Sequence, residues 1–128
     1  MKNVLIFLFL LIFSLSCFAS NWEQIGEKDW IDLSSWSQNG NIRSAWVKSL
    51  NPGDWDLRNN KKIFYKLIYY HADCRKRQLG ATNVVVYDLK GNVIDNINFD
   101  LKFVEYAMEP VIPDSVGESL YDVLCSLK

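Results

Sequence analysis

From Ile63 to Ala72 the chain carries six β-branched or aromatic residues in ten. Such side chains lose rotamer freedom in a helix and pack well on a pleated surface, so the segment predicts a long β-strand. Alternation places Ile63, Tyr65, Leu67, Tyr69 and His71 on one face. The other face takes Phe64, Lys66, Ile68, Tyr70, Ala72 and then Cys74. Both faces are apolar, which makes this a central strand.

The flanking sequence supplies its neighbours. Trp22 to Ile25 and Trp30 to Leu33 read as two short strands around the turn Gly26-Glu27-Lys28-Asp29. Asn39-Gly40 is a tight-turn signal, and Ile42 to Leu50 then alternates as a third strand. Asn51 to Asn60 is a loop by composition, carrying Trp55 between two acids. That tryptophan either folds back over a sheet edge or serves binding. After the long strand come Arg75 to Tyr87 and, past the turn Lys90-Gly91-Asn92, Val93 to Phe99, completing an antiparallel meander. Leu101 to Met108 allows a strand or an ordered loop. Ser115 and Glu118 have the spacing of a capping box, so a helix is expected from Val116 to about Leu127. Its stripe of Val116, Leu120, Val123 and Leu127 leaves Cys125 facing away. A buried face of Gly117, Leu120, Tyr121, Leu124 and Cys125 instead brings the cysteine to the sheet, with Gly117 permitting close approach. The expected fold is α+β: a single twisted antiparallel sheet of five to six strands with one C-terminal helix packed on it.

The first residues belong to a different kind of segment. Lys2, the unbroken apolar run Val4 to Phe13 and the small-x-small ending Cys17-Phe18-Ala19 match a cleaved secretory signal. The cut falls between Ala19 and Ser20, so residues 1–19 form the leader and 20–128 the domain. Acylation of Cys17 after lipoprotein-type processing is the alternative, although Ser14 stands where such motifs favour Leu. Removing 19 of 128 residues leaves 109 and deletes one lysine, taking the charge from −1 to −2. Neither value is extreme enough to name a partner. Export also leaves Cys74 and Cys125 as an even pair in an oxidising compartment, where a disulfide is the natural inference and two buried thiols the alternative.

Chemistry is sparse. The single histidine, His71, ends a strand, and Asp32 and Asp73 stand at no catalytic spacing from it, so a satisfied structural or a surface histidine is expected rather than a base. No nucleophile elbow, phosphate loop, His-Glu-x-x-His or Cys-x-x-Cys occurs, and no catalytic residue, metal or cofactor is assigned. Lys61, Lys62 and Lys66 begin the long strand, while Arg75, Lys76 and Arg77 begin its neighbour. In a hairpin these lie at opposite ends, giving two small basic clusters and no nucleic-acid stripe. They read either as solvated strand ends or as contacts for an acidic protein segment or glycosaminoglycan.

Trp22-Glu23-Gln24-Ile25-Gly26, Trp30-Ile31-Asp32-Leu33-Ser34-Ser35, the strand ending Asp73-Cys74, and Val111 to Glu118 followed by Cys125 together resemble the surface-adhesin protein E family. The likeness spans essentially the whole mature chain. It implies an exported protein of a Gram-negative bacterium, in the periplasm or on the outer-membrane surface, with a C-terminal helix held on the sheet by a disulfide. It also implies a non-enzymatic module binding host extracellular-matrix or serum proteins. Lys61 and Lys62 fall near the basic residues of the family's adhesins, with Lys66 and Trp55 as further ligand contacts. The chain departs from those adhesins in its leader and in having fewer cations. A periplasmic inhibitor of a hydrolase such as lysozyme, or a structural domain, is therefore the second reading, and a homodimer stays open.

Overall fold

The computed structural model describes residues 19–50, 54–56, 60–100, 102 and 104–128. The leader, apart from Ala19, lies outside the described residues, as does Cys17. Trp22–Gln24 (β1) and Asp29–Asp32 (β2) form a hairpin, as the aromatic pieces predict. A short 3-10 turn follows at Leu33–Ser35, where Asp32 Oδ1 accepts from the backbone N–H of Ser34 and of Asn21. Ser37–Asn39 (β3) and Ile42–Leu50 (β4) pair across Gly40, whose φ of +59° suits glycine. Next come Trp55–Asp56 (β5), Lys61–Lys62 (β6), Tyr65–Asp73 (β7), Gln78–Tyr87 (β8) and Val93–Asn98 (β9). The chain ends with a short helix Val104–Ala107 (α1), Glu109–Pro110 (β10) and the helix Val116–Ser126 (α2).

Eight strands make one antiparallel sheet in the order β1-β2-β4-β7-β8-β10, with β3 also on β4 and β9 also on β8. The long strand is central, paired along its whole length with β4 and β8. Its two covers differ. On one face α2 lays Leu120, Tyr121 and Leu124 against Ile31, Ala45, Val47 and Ala72. Val116 stays half-exposed, so the helix uses the cysteine-bearing face. The Cys74–Cys125 disulfide joins the end of β7 to the last turn of α2, and the Tyr121 hydroxyl donates to the Cys74 carbonyl at 3.0 Å. The other face, away from α2, presents Trp46, Tyr65, Tyr69 and Tyr87, all half-buried. Tyr65 stacks on Tyr87 at 4.4 Å, Trp46 meets Tyr69 at 5.1 Å, and the Lys48 ammonium lies 5.0 Å from the Tyr65 ring.

Several local expectations change. The strand count exceeds five to six because β3, β5, β6 and β10 span two or three residues each, too short to carry an alternation signal. Lys61 and Lys62 do not begin the long strand: they pair with β5 in a separate two-stranded sheet, and Ile63 and Phe64 lie outside any strand between them and β7. Trp55 stands opposite Lys62, and its ring lies outside the described residues, as does part of the loop from Asn51 to Asn60. Arg75, Lys76 and Arg77 occupy a turn rather than the start of β8. Asp73 Oδ1 accepts from the N–H groups of Arg75 and Lys76 there, and Arg77 takes φ +54°. The segment expected as strand or loop before Met108 contains α1.

Glycine 117 is not a point of close approach, since a Cβ there would sit at ordinary distance, 3.6 Å from Leu79. That place is Gly80, where a Cβ would stand 2.5 Å from the Ala107 carbonyl oxygen. The capping box also differs in detail. Ser115 Oγ accepts from the Glu118 N–H as expected, but Glu118 reaches one residue further back, to the Asp114 N–H, while its other oxygen pairs with Arg77.

Candidate functional site

A β-bulge organises the sheet face away from α2. Tyr69 pairs with Asn83 and Tyr70 with Ala81, so Thr82 is the extra residue. The bulge brings Thr82 and Asn83 into one hydrogen-bonded row that starts two strands away. Ser44 on β4 and His71 on β7 face each other in register, with Ser44 Oγ 2.7 Å from His71 Nδ1. His71 Nε2 lies 2.7 Å from Thr82 Oγ1, Thr82 donates to Asn83 Oδ1 at 2.8 Å, and Asn83 donates to Asn98 on β9. Thr82 has one hydroxyl proton and spends it on Asn83, so it accepts from His71 Nε2–H. With Nε2 carrying the proton, the neutral ring accepts from Ser44 through Nδ1.

Burial pushes the His71 pKa below its usual 6.5. The unfolded chain thus binds a proton that the native chain refuses. This ring's contribution is fully present above about pH 6.5 and declines as pH falls toward the lower native value. Denaturant titrations between about pH 7.5 and 5 should show stability falling toward acid with a slope below about 1.4 kcal/mol per pH unit. The His71→Gln variant should lose that component. An unchanged slope in the variant would assign the acid sensitivity elsewhere.

The Ser44–His71 pair has the composition of a nucleophile and base, yet both ring nitrogens are engaged and neither Asp32 nor Asp73 hydrogen-bonds the ring. To act as a base His71 would first have to leave this row. Asp32 caps the 3-10 turn instead. Asp73 lies beside His71 in a cavity of about 370 Å³, between β3 on one side and α1 on the other. Ser37, Asn39, Tyr69 and Gln78 provide neutral polar groups there, Ile42 and Met108 apolar wall, and Lys76 a cation. The spacing of these residues in sequence gave no hint that they converge.

The lysines expected to bind occupy the opposite end of β7. Lys61 and Lys62 are exposed and line an open groove with Lys90, Asp88 and Leu89. Lys90 and the Leu89 side chain, 76% exposed, come from the β8–β9 turn and were not expected as partners of this pair. Asp88 shapes that turn through Oδ1, which accepts from the Lys90 and Asn92 N–H groups. Hydrogen bonds from Asn92 hold its pKa below the ordinary carboxylate value. Lys66 does not join the groove: it is half-buried on β7 between Ser49 and Val86, on the face that carries Ala72. Among the described residues, no group of three or more His, Cys, Asp or Glu could hold a metal ion, and no helix is long and apolar enough to cross a membrane.

No curated protein matches the chain. The family model described as surface-adhesin protein E matches residues 22–126, which takes in β1, the whole sheet, the disulfide and α2. A match of that extent, on a sheet stapled to its terminal helix, means that the chain belongs to the surface-adhesin protein E family.

Proposed function

We propose that this chain is an exported, non-enzymatic binding protein whose Lys61–Lys62–Lys90 groove engages an acidic segment of a host extracellular-matrix or serum protein. The carrying observation is the groove itself. Three lysines, against one carboxylate from Asp88, line it together with a leucine that is 76% exposed, so charge and apolar contact are offered together. Exposed cations speed and orient encounter with an acidic partner, while an apolar anchor supplies contact that salt does not screen. Family membership supports a surface role, and the fully occupied His71 supports binding over catalysis. Export follows the leader reading, with residues 1–19 removed between Ala19 and Ser20 and the domain from 20 delivered to the periplasm or cell surface.

Immobilised vitronectin and laminin provide the test. The mature chain should bind one of them at micromolar concentration, less tightly as salt rises, and the Lys61→Ala/Lys62→Ala variant should bind about five- to tenfold more weakly. Binding to neither protein would end this reading.

A further inference from the structure

At the other end of β7, two adjoining cavities share Ile42, Asp73 and Lys76. The first is the 370 Å³ cavity beside His71; the second, about 580 Å³, is open and edged by Arg75. Asp73 is only 9% exposed. Its Oδ1 is saturated by two backbone N–H groups, but its Oδ2 has no hydrogen-bond partner among the described residues. That oxygen is not sealed off, since Asp73 lines both cavities, so it is free to accept from a donor that enters them. Lys76 is exposed and forms no ion pair among the described residues, with Asp73 or any other acid. Arg77, the third cation of the turn, is committed: it pairs with Glu118 and lies 5.3 Å over the Tyr121 ring.

The ligand must therefore donate to a carboxylate and accept from an ammonium within one cavity. Inorganic phosphate or sulfate meets the second demand and is repelled by Asp73. A simple cation meets the first and is repelled by Lys76. A free amino acid meets both but leaves Ser37, Asn39 and Gln78 without use. A polyhydroxylated ring bearing one carboxylate uses them all: hydroxyls donate to Asp73 Oδ2 and exchange hydrogen bonds with the amides, and the carboxylate accepts from Lys76. The apolar side of such a ring can lie against the half-buried Tyr69, which lines the cavity.

We propose that the Asp73–Lys76 cavity binds a carboxylate-bearing sugar residue of an acidic glycan, with the Arg75 groove receiving the next residue of the chain. This rests on the reading of the molecule as a binding protein, but it uses a surface roughly 25 Å from the lysine groove, the length of β7.

Calorimetric titration of the oxidised mature chain tests it, using a hyaluronan tetrasaccharide, its neutral counterpart chitotetraose, inorganic sulfate and free lysine. The carboxylated tetrasaccharide should bind with Kd below about 1 mM and the other three at least about tenfold more weakly. Lys76→Gln should weaken the tetrasaccharide about tenfold. Asp73→Asn is the sharper variant, because it keeps an oxygen for the turn while removing negative charge. Attraction between charges alone predicts tighter binding to this variant; the proposed hydroxyl contact predicts binding about fivefold weaker. Gln78→Ala, expected to weaken binding with the turn untouched, carries the test if Asp73→Asn does not fold. No heat with the tetrasaccharide, equal affinity for sulfate or lysine, or an Asp73→Asn variant that binds as well as the parent would each overturn the assignment. Retention of lysine-dependent vitronectin or laminin binding in that case would show that the glycan site alone had failed.

Discussion

Replacing Cys74 and Cys125 with serine should lower the unfolding free energy by about 4 kcal/mol, the loop-closure entropy of a bridge spanning 51 residues. Small domains are stable by about 5–15 kcal/mol, so this is a large fraction of the total. The structure gives a reason to expect the full effect. Apart from the bridge, α2 is held on the sheet mainly through Leu120, Tyr121 and Leu124, three buried side chains of an eleven-residue helix. Without the covalent link that helix also loses the fixed position from which the Tyr121 hydroxyl reaches the Cys74 carbonyl. Guanidinium titration of the oxidised parent and the double-serine variant measures the difference. A loss below about 1 kcal/mol would mean that the denatured chain is already compact around this pair.

Gly80→Ala should cost up to about 3 kcal/mol and alter the glycan cavity at the same time. The new Cβ would meet the Ala107 carbonyl oxygen at 2.5 Å and its carbon at 2.9 Å, both backbone atoms that cannot rotate aside. Either β8 or α1 must move. Because Val104 of α1 and Met108 just beyond it line the cavity, the shift would reshape that site and should weaken the tetrasaccharide. Thermal unfolding followed with calorimetry of the variant separates the two effects. Unchanged stability and affinity would place α1 further from β8 than described.

What could be read from the sequence follows the range of each physical signal. Period-two alternation and β-branched content act over five or more residues, so β4, β7, β8 and β9 were legible, and the capping serine marked α2. The helix face was legible because Cys125 had to meet a partner. Turns such as that at Arg75 to Arg77 were misread as strand because Asp73 folds them through its own side chain, a local competition that composition does not display. The Thr82 bulge was invisible for the same reason that it matters: one extra residue changes which side chains share a face without changing the apolar pattern on either side. Lys61 and Lys62 were placed at the correct end of the sheet, but their companions Leu89 and Lys90 come from a different turn. The cavity residues, drawn from β3, β4, β7, β8 and α1, are neighbours only after the meander closes.

The staple between β7 and the final helical turn also decides how the molecule would answer a pull on its two ends. Tension entering through β1 would run along the backbone as far as Cys74, cross the sulfurs, and leave through the last residues. The 51-residue stretch containing β8, β9, β10 and nearly all of α2 would lie off that line. About 170 Å of extended chain would thus stay slack while the first half unravels. If both ends were held, the bridge would set the greatest length to which the chain could be drawn.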